Sequence, residues 1–183
     1  MLSATLPEKH TSAFRRLLSD VRAVVQTQAP PQRIGAAVAE LLKPHLGSPD
    51  LLAADELEPD HSTYRQHILH VEPDGSFSIV ALVWLPGQST PIHDHVSWCV
   101  VGVHLGEESE TDYELAGDAE DLHLRVTGRI TNPAGSVAAL VPPGDIHDVK
   151  NAGPEPAVSL HIYGADISVL GSSIRRRYNL EIR

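Results

Sequence analysis

A mainly β domain with two helices ahead of its strands is the fold class this sequence predicts, and three observations predict it. Apolar residues recur at threes and fours near the N-terminus. After Pro59 the texture changes to short β-rich runs, separated by Gly, Pro and Asn clusters. The even spacing of those runs is that of a sandwich or small barrel. No repeat, low-complexity tract or second boundary interrupts residues 1–183, so we read one domain: a helical segment over about 11–47 and a barrel over about 62–183.

The elements follow in order. Between Thr11 and Val25, Phe14, Leu17, Leu18, Val21, Val24 and Val25 line one face of an amphipathic helix, and Ala29-Pro30-Pro31 interrupts it. Ile34, Val38, Leu41 and Leu42 repeat the pattern up to Pro44, predicting a second helix, with both helices covering a later sheet. YRQHILHV and FSIVALVWL then read as strands joined by the Pro73-Asp74-Gly75 turn. WCVVGVHL, ETDYEL, DLHLRVTG, SVAALV, AVSLHIY and RYNLEI complete the strand set.

Charge and cysteine content narrow the function classes. A net charge of -10 argues against a protein that tracks nucleic-acid phosphates or binds an anionic membrane, leaving a small diffusing ligand as the expected partner. Cys99 is the sole cysteine, which excludes an internal disulfide and suits a reducing cytoplasm. The opening residues MLSATLPEKHTSAFRR lack the apolar core of a signal peptide, and no stretch is apolar for the length of a membrane span. Met1 is the sole methionine, so no methionine-lined groove is expected.

The chemistry concentrates in GQSTPIHDHVSWCVVGVHLG, Gly87 to Gly106. On a continuous strand His93, His95, Ser97 and Cys99 would share one face, and two imidazoles on one face can share a metal ion. With 11 histidines, roughly two-thirds of an H-x-H pair is expected by chance, so its surroundings must carry the argument. Downstream, VPPGDIHDVKN puts His147 after a Pro-Pro-Gly turn on a separate segment. Three neutral imidazoles from two segments could form a facial triad with coordination positions left open, the arrangement of a catalytic metal, whereas His147 taken alone reads equally as an ordinary turn residue.

Together the segments read G(x)5HxH(x)3C(x)6G and PxGxxHxxxN, the latter from Pro142 to Asn151, and both resemble the signature motifs of the cupin superfamily. That resemblance implies a small double-stranded β-helix barrel. Cys99 stands where cupins usually carry a glutamate ligand, and Gly135 lies one residue further from Pro142 than the pattern has it. A site without that carboxylate is similar to the thiol dioxygenase branch, which includes cysteine dioxygenase and 3-mercaptopropionate dioxygenase. The resemblance implies that His93, His95 and His147 hold Fe(II), with a small thiol and O2 as substrates.

In Ser159-Leu160-His161-Ile162-Tyr163 the polar residues alternate with an apolar pair. On a strand Ser159, His161 and Tyr163 therefore face one way and Leu160 and Ile162 the other. The polar set resembles the Ser-His-Tyr relay of thiol dioxygenases; without the metal motifs it would read as three residues satisfying one another. On the same resemblance Cys99 and Tyr163 can be joined by a thioether crosslink, whereas a buried cysteine that only packs is the ordinary alternative.

Substrate choice rests on the same likeness. Cysteine-specific members carry Tyr-x-Arg on an early strand, where this chain has Tyr64-Arg65-Gln66; Gln66 resembles the 3-mercaptopropionate branch. A carboxylate in a dry pocket still calls for an arginine. Arg175, Arg176 and Arg177 are the nearest supply, spacing does not choose among them, and Arg175 is taken as the substrate-binding candidate. The other readings are a cupin using another divalent metal for isomerisation or hydrolysis, and a non-catalytic cupin that binds a small ligand. His10, His45, His61, His67, His70, His104 and His123 are read as ordinary surface or satisfied histidines.

Overall fold

The structure, a computed structural model, describes residues 11–183, so Met1, His10 and the first ten residues of MLSATLPEKHTSAFRR lie outside the described residues. Thr11 starts the first helix by accepting a hydrogen bond from the Phe14 N–H at 3.1 Å, and α1 runs Ser12–Val25. Pro31, whose missing N–H costs nothing in a first turn, opens α2, Pro31–Leu42. Ten strands follow: β1 Arg65–Val71, β2 Ser78–Trp84, β3 His93–His95, β4 Cys99–Leu105, β5 Glu107–Ala116, β6 His123–Pro133, β7 Val137–Leu140, β8 Ile146–Lys150, β9 Ala157–Tyr163 and β10 Ile174–Arg177. A one-turn helix, α3 Ile167–Leu170, lies between the last two strands.

The strands form two five-stranded antiparallel sheets, ordered β1-β2-β9-β4-β7 and β10-β3-β8-β5-β6. These are the sheets of a double-stranded β-helix, with the N-terminal helices on the outside of the first. Phe14, Leu17, Leu18, Val21, Ile34, Val38 and Leu42 pack against Ile79, Ala81, Val83, Val158, Leu160 and Ile162. The alternate residues of the same strands, Val80, Leu82, Trp84 and Tyr163, form a second cluster inside the barrel together with Cys99. Burial on both faces accounts for the nearly unbroken apolar run of β2.

Two expectations about strands change. His93 to Cys99 is not one strand: β3 ends at His95, and the chain crosses to the other sheet before β4 begins at Cys99. The shared face expected for Cys99 and the histidines therefore does not come from strand parity. The last strand ends at Arg177 instead of covering RYNLEI, of which Ile182 keeps a single bridge to Leu124. The motif glycine Gly106 sits in the turn between β4 and β5 at φ +71, where a Cβ would come within 2.8 Å of the Pro156 carbonyl oxygen. Only glycine fits a left-handed position against another backbone.

Candidate metal centre

β3 and β8 lie side by side, with His93 opposite His147, and this pairing unites the two motifs. His93, His95 and His147 are all buried, and one ring nitrogen from each lies within 4.8 Å of the others. What holds each ring is the informative part. His93 Nδ1 faces the Pro91 carbonyl at 2.9 Å, His95 Nδ1 faces Asp145 Oδ2 at 2.9 Å, and His147 Nδ1 faces Glu110 Oε1 at 2.6 Å. All three partners are acceptors, so each Nδ1 donates to its partner and each Nε2 is left to face a metal. Three imidazoles oriented in this way fit a divalent cation.

The electrostatics agree with that assignment. Burial, with His147 and His95 beside it, pushes His93 down to about 3, so it is neutral at physiological pH. Burial alone would raise the Asp145 and Glu110 carboxyls. The hydrogen bond from His95 in the first case and from His147 in the second prevail, and both groups end below their ordinary values. Asp145 also accepts the His95 backbone N–H at 3.1 Å, which ties the PPGD turn to β3.

The relay residues lie on the interior face of β9. Tyr163 Oη is 3.0 Å from His161 Nδ1, and His161 Nε2 is 2.9 Å from Ser159 Oγ, which also accepts from the Trp84 indole at 3.2 Å. Burial, with Cys99 alongside, raises Tyr163 well above its ordinary value, so the phenol stays protonated. Burial likewise pushes His161 down to about 3. A protonated phenol donates to Nδ1 and leaves the imidazole proton on Nε2, facing Ser159. Cys99 on β4 is directly opposite Tyr163 on β9, and both are buried. They are brought together by cross-strand pairing rather than by the expected parity with the histidines.

One cavity joins these groups: His93, His95, His147, His161 and Tyr163 line it with Gln66, Tyr64, Leu82, Trp84 and Val149. Gln66 thus reaches the cavity. Arg175, the substrate-binding candidate from the sequence, is not among its lining residues. Its guanidinium is held 2.7 Å from Asp94 Oδ2 and lines a different cavity with Arg176 and Tyr178. The cause is an irregularity in β10: Ile174 pairs with His95 and Arg177 with His93, while the register shifts between Ile174 and Arg176. The bulge turns Arg175 and Arg176 outward. Arg177 is the member of the triplet whose charge acts on Tyr64, a wall of the histidine cavity.

Asp145, Glu110 and Trp84 escaped the sequence reading. Asp145 had a signal, since it precedes His147 by two and shares its face if the segment is a strand. Glu110 had none, because it lies in the acidic run EESETD, which reads as a solvated face. The ordinary reading of His67 and His70 agrees with their partners, the Glu58 carbonyl and the Glu72 carboxylate, each at 2.9 Å.

A family model described as cysteine dioxygenase type I matches residues 56–171, a stretch that includes all three histidines and the Ser159-His161-Tyr163 set. The chain belongs to the cysteine dioxygenase type I family. The match ends before Arg175. Cysteine dioxygenase type 1 of Danio rerio is 28% identical over 106 residues, covering 57% of this chain and 52% of that protein. The chain thus spans about half the length of the curated relative it matches. Among solved structures, a double-stranded β-helix protein from Klebsiella pneumoniae shares 21% identity at a TM-score of 0.43, over 65% of this chain and 92% of its own. An RmlC-like cupin from Desulfovibrio desulfuricans shares 23% identity at 0.45, over 66% and 98%.

Proposed function

We propose that this member of the cysteine dioxygenase family is an iron(II)-dependent thiol dioxygenase. It adds both atoms of O2 to the sulfur of a small thiol carboxylate, 3-mercaptopropionate-like or cysteine, and yields a sulfinate. The observation that carries the proposal is the shared cavity, in which three oriented imidazoles and the Tyr163 hydroxyl converge. Fe(II) held by His93, His95 and His147 would acidify a thiol bound beside it and activate dioxygen at a neighbouring position.

The chain's own residues supply the rest. Tyr163 holds or moves a proton at its Oη, oriented by His161, which Ser159 orients in turn. Leu82, Trp84 and Val149 exclude water from the thiol end of the cavity. The Gln66 amide receives the polar end of the substrate, and Arg177, whose charge acts on the cavity wall Tyr64, takes the part in carboxylate binding. The side-by-side placement of Cys99 and Tyr163 also supports a thioether between them, formed with dioxygen as oxidant. Intact mass of active protein lower by two hydrogen atoms establishes that bridge, and an unmodified mass removes it.

No helix among the described residues is long and apolar enough to cross a membrane. The single buried free thiol, Cys99, supports action in the reducing cytoplasm, which cell fractionation checks.

The deciding experiment is anaerobic reconstitution with ferrous iron, followed by oxygen uptake and sulfinate analysis with cysteine, 3-mercaptopropionate, cysteamine and mercaptosuccinate. Turnover is expected with 3-mercaptopropionate in preference to cysteine. Preference for cysteine would overturn the inference from Gln66, and absence of uptake with every thiol would overturn the dioxygenase reading. Activity with another metal and no oxygen consumption would favour isomerisation or hydrolysis instead.

A further inference from the structure

The Tyr163-His161-Ser159 chain does not stop at Ser159. On β5, Glu108 and Glu110 share the face that looks into the barrel; Glu110 holds His147, while Glu108 lies against the Ser159 hydroxyl and the Trp84 indole. Glu108 is 2% exposed, and its Oε1 has no hydrogen-bond partner. A buried carboxyl oxygen left without a partner is destabilising, so its place calls for a use or for water. Glu108 lines a second cavity, on the far side of His147 and Val149, which wall both this cavity and the one that holds Tyr163. Val101 and Leu140 wall it, and the partly exposed Asn132 and Ser136 stand at its rim.

We propose that Glu108 is the outer end of a proton path, Tyr163 to His161 to Ser159 to Glu108, that carries the substrate's thiol proton away from the metal cavity and releases it to water in the second cavity. The proposal rests on the thiol dioxygenase reading above. That reaction, RSH + O2 → RSO2⁻ + H⁺, breaks the S–H bond and frees one proton. Sulfur is oxidised, dioxygen is reduced, and both oxygen atoms end on sulfur. Tyr163 Oη takes the thiol proton as its own passes to His161 Nδ1. The Nε2 proton moves to Ser159 Oγ, and the Ser159 proton moves to the Glu108 carboxylate.

The charges around Glu108 suit an exchanger. Burial pushes it up to about 7; the nearby Ser159 hydroxyl opposes that, the Glu110 charge raises it further, and His147 and the Trp84 indole oppose it. Near neutral pH it therefore gains and loses a proton with comparable ease. Glu108 acts through Ser159 and does not touch substrate, so it is a positioning and relay residue rather than a catalytic one.

The test compares Glu108→Gln, which keeps shape and hydrogen bonding but accepts no proton, with Glu108→Asp, both loaded with ferrous iron. In Glu108→Gln, iron content and the KM for thiol are expected to stay near wild type. Its kcat should fall at least about tenfold, with a larger solvent deuterium isotope effect. Glu108→Asp should restore most of the rate. Unchanged kcat and isotope effect in Glu108→Gln, or no recovery in Glu108→Asp, would overturn the path.

Infrared spectroscopy of metal-free protein separates this failure from failure of the dioxygenase reading. A deuterium-sensitive carboxyl band near neutral pH should vanish in Glu108→Gln and shift in Ser159→Ala. If the wild type consumes no oxygen but the band behaves so, the reaction assigned to the site is wrong and the carboxyl's link to the relay stands. A band that ignores Ser159→Ala removes Glu108 from the path whatever the activity.

Discussion

A His147→Ala protein is expected to retain no ferrous iron after desalting and to consume oxygen at the background rate with every thiol in the panel. Loss of one imidazole leaves the His93 and His95 rings on a single three-residue strand, with the opposite side of the site empty. Groups that merely orient a ligand contribute about 10–100-fold to metal affinity, and removal of a ligand itself should exceed that. The substitution also takes the hydrogen bond from Glu110, a carboxylate with little access to water. Circular dichroism and a denaturation midpoint must therefore accompany the assay. A folded His147→Ala protein with full oxygen uptake would remove the histidine site from the reaction.

The second large effect is acid sensitivity of the metal-free protein, with His161 as its identifiable source. An unfolded chain protonates this histidine near pH 6.5, whereas burial first, and the neighbouring His95, His147 and His93 after it, hold it neutral in the fold down to about 3. Between those values the unfolded state binds more protons, so stability falls as pH falls, by about 1.4 kcal/mol per pH unit for one such group. Between pH 7 and pH 5 the wild type should lose up to about 2 kcal/mol more than a His161→Gln variant, read from urea midpoints. The variant starts less stable because it loses its bonds to Ser159 and Tyr163, but the comparison is of slopes. Equal slopes in the two proteins would show that His161 is not held neutral by the fold.

Both predictions depend on residues legible in the sequence. The reasons why others were not legible are physical. α1 and α2 announce themselves because packing on a sheet demands an apolar stripe at helical period. β9 is legible because Leu160 and Ile162 meet the helices while Ser159, His161 and Tyr163 face the barrel, so one strand carries two chemistries in strict alternation. β3 has three residues, too few for any period to show, although it carries two of the histidines. β8 hides behind a proline turn whose local signal is stronger.

Glu110 and Glu108 show a different limit. Both stand in an acidic run that composition assigns to solvent, yet pairing of β5 with β8 turns that face inward. Arg175 shows the converse. Its type suits a carboxylate, and a register shift in β10 turns it toward Asp94.

By itself the sequence determined the helices on a mainly β barrel, the three histidines and the Ser159-His161-Tyr163 alternation, because each is written in local spacing along one segment. Only the tertiary structure decided which carboxylate holds which imidazole, that Cys99 meets Tyr163 across a strand pair, and that Arg175 pairs with Asp94. Those facts depend on register between strands far apart in the chain. A shift of one residue exchanges the two faces of a strand, and the residues of that strand alone do not record which partner it meets.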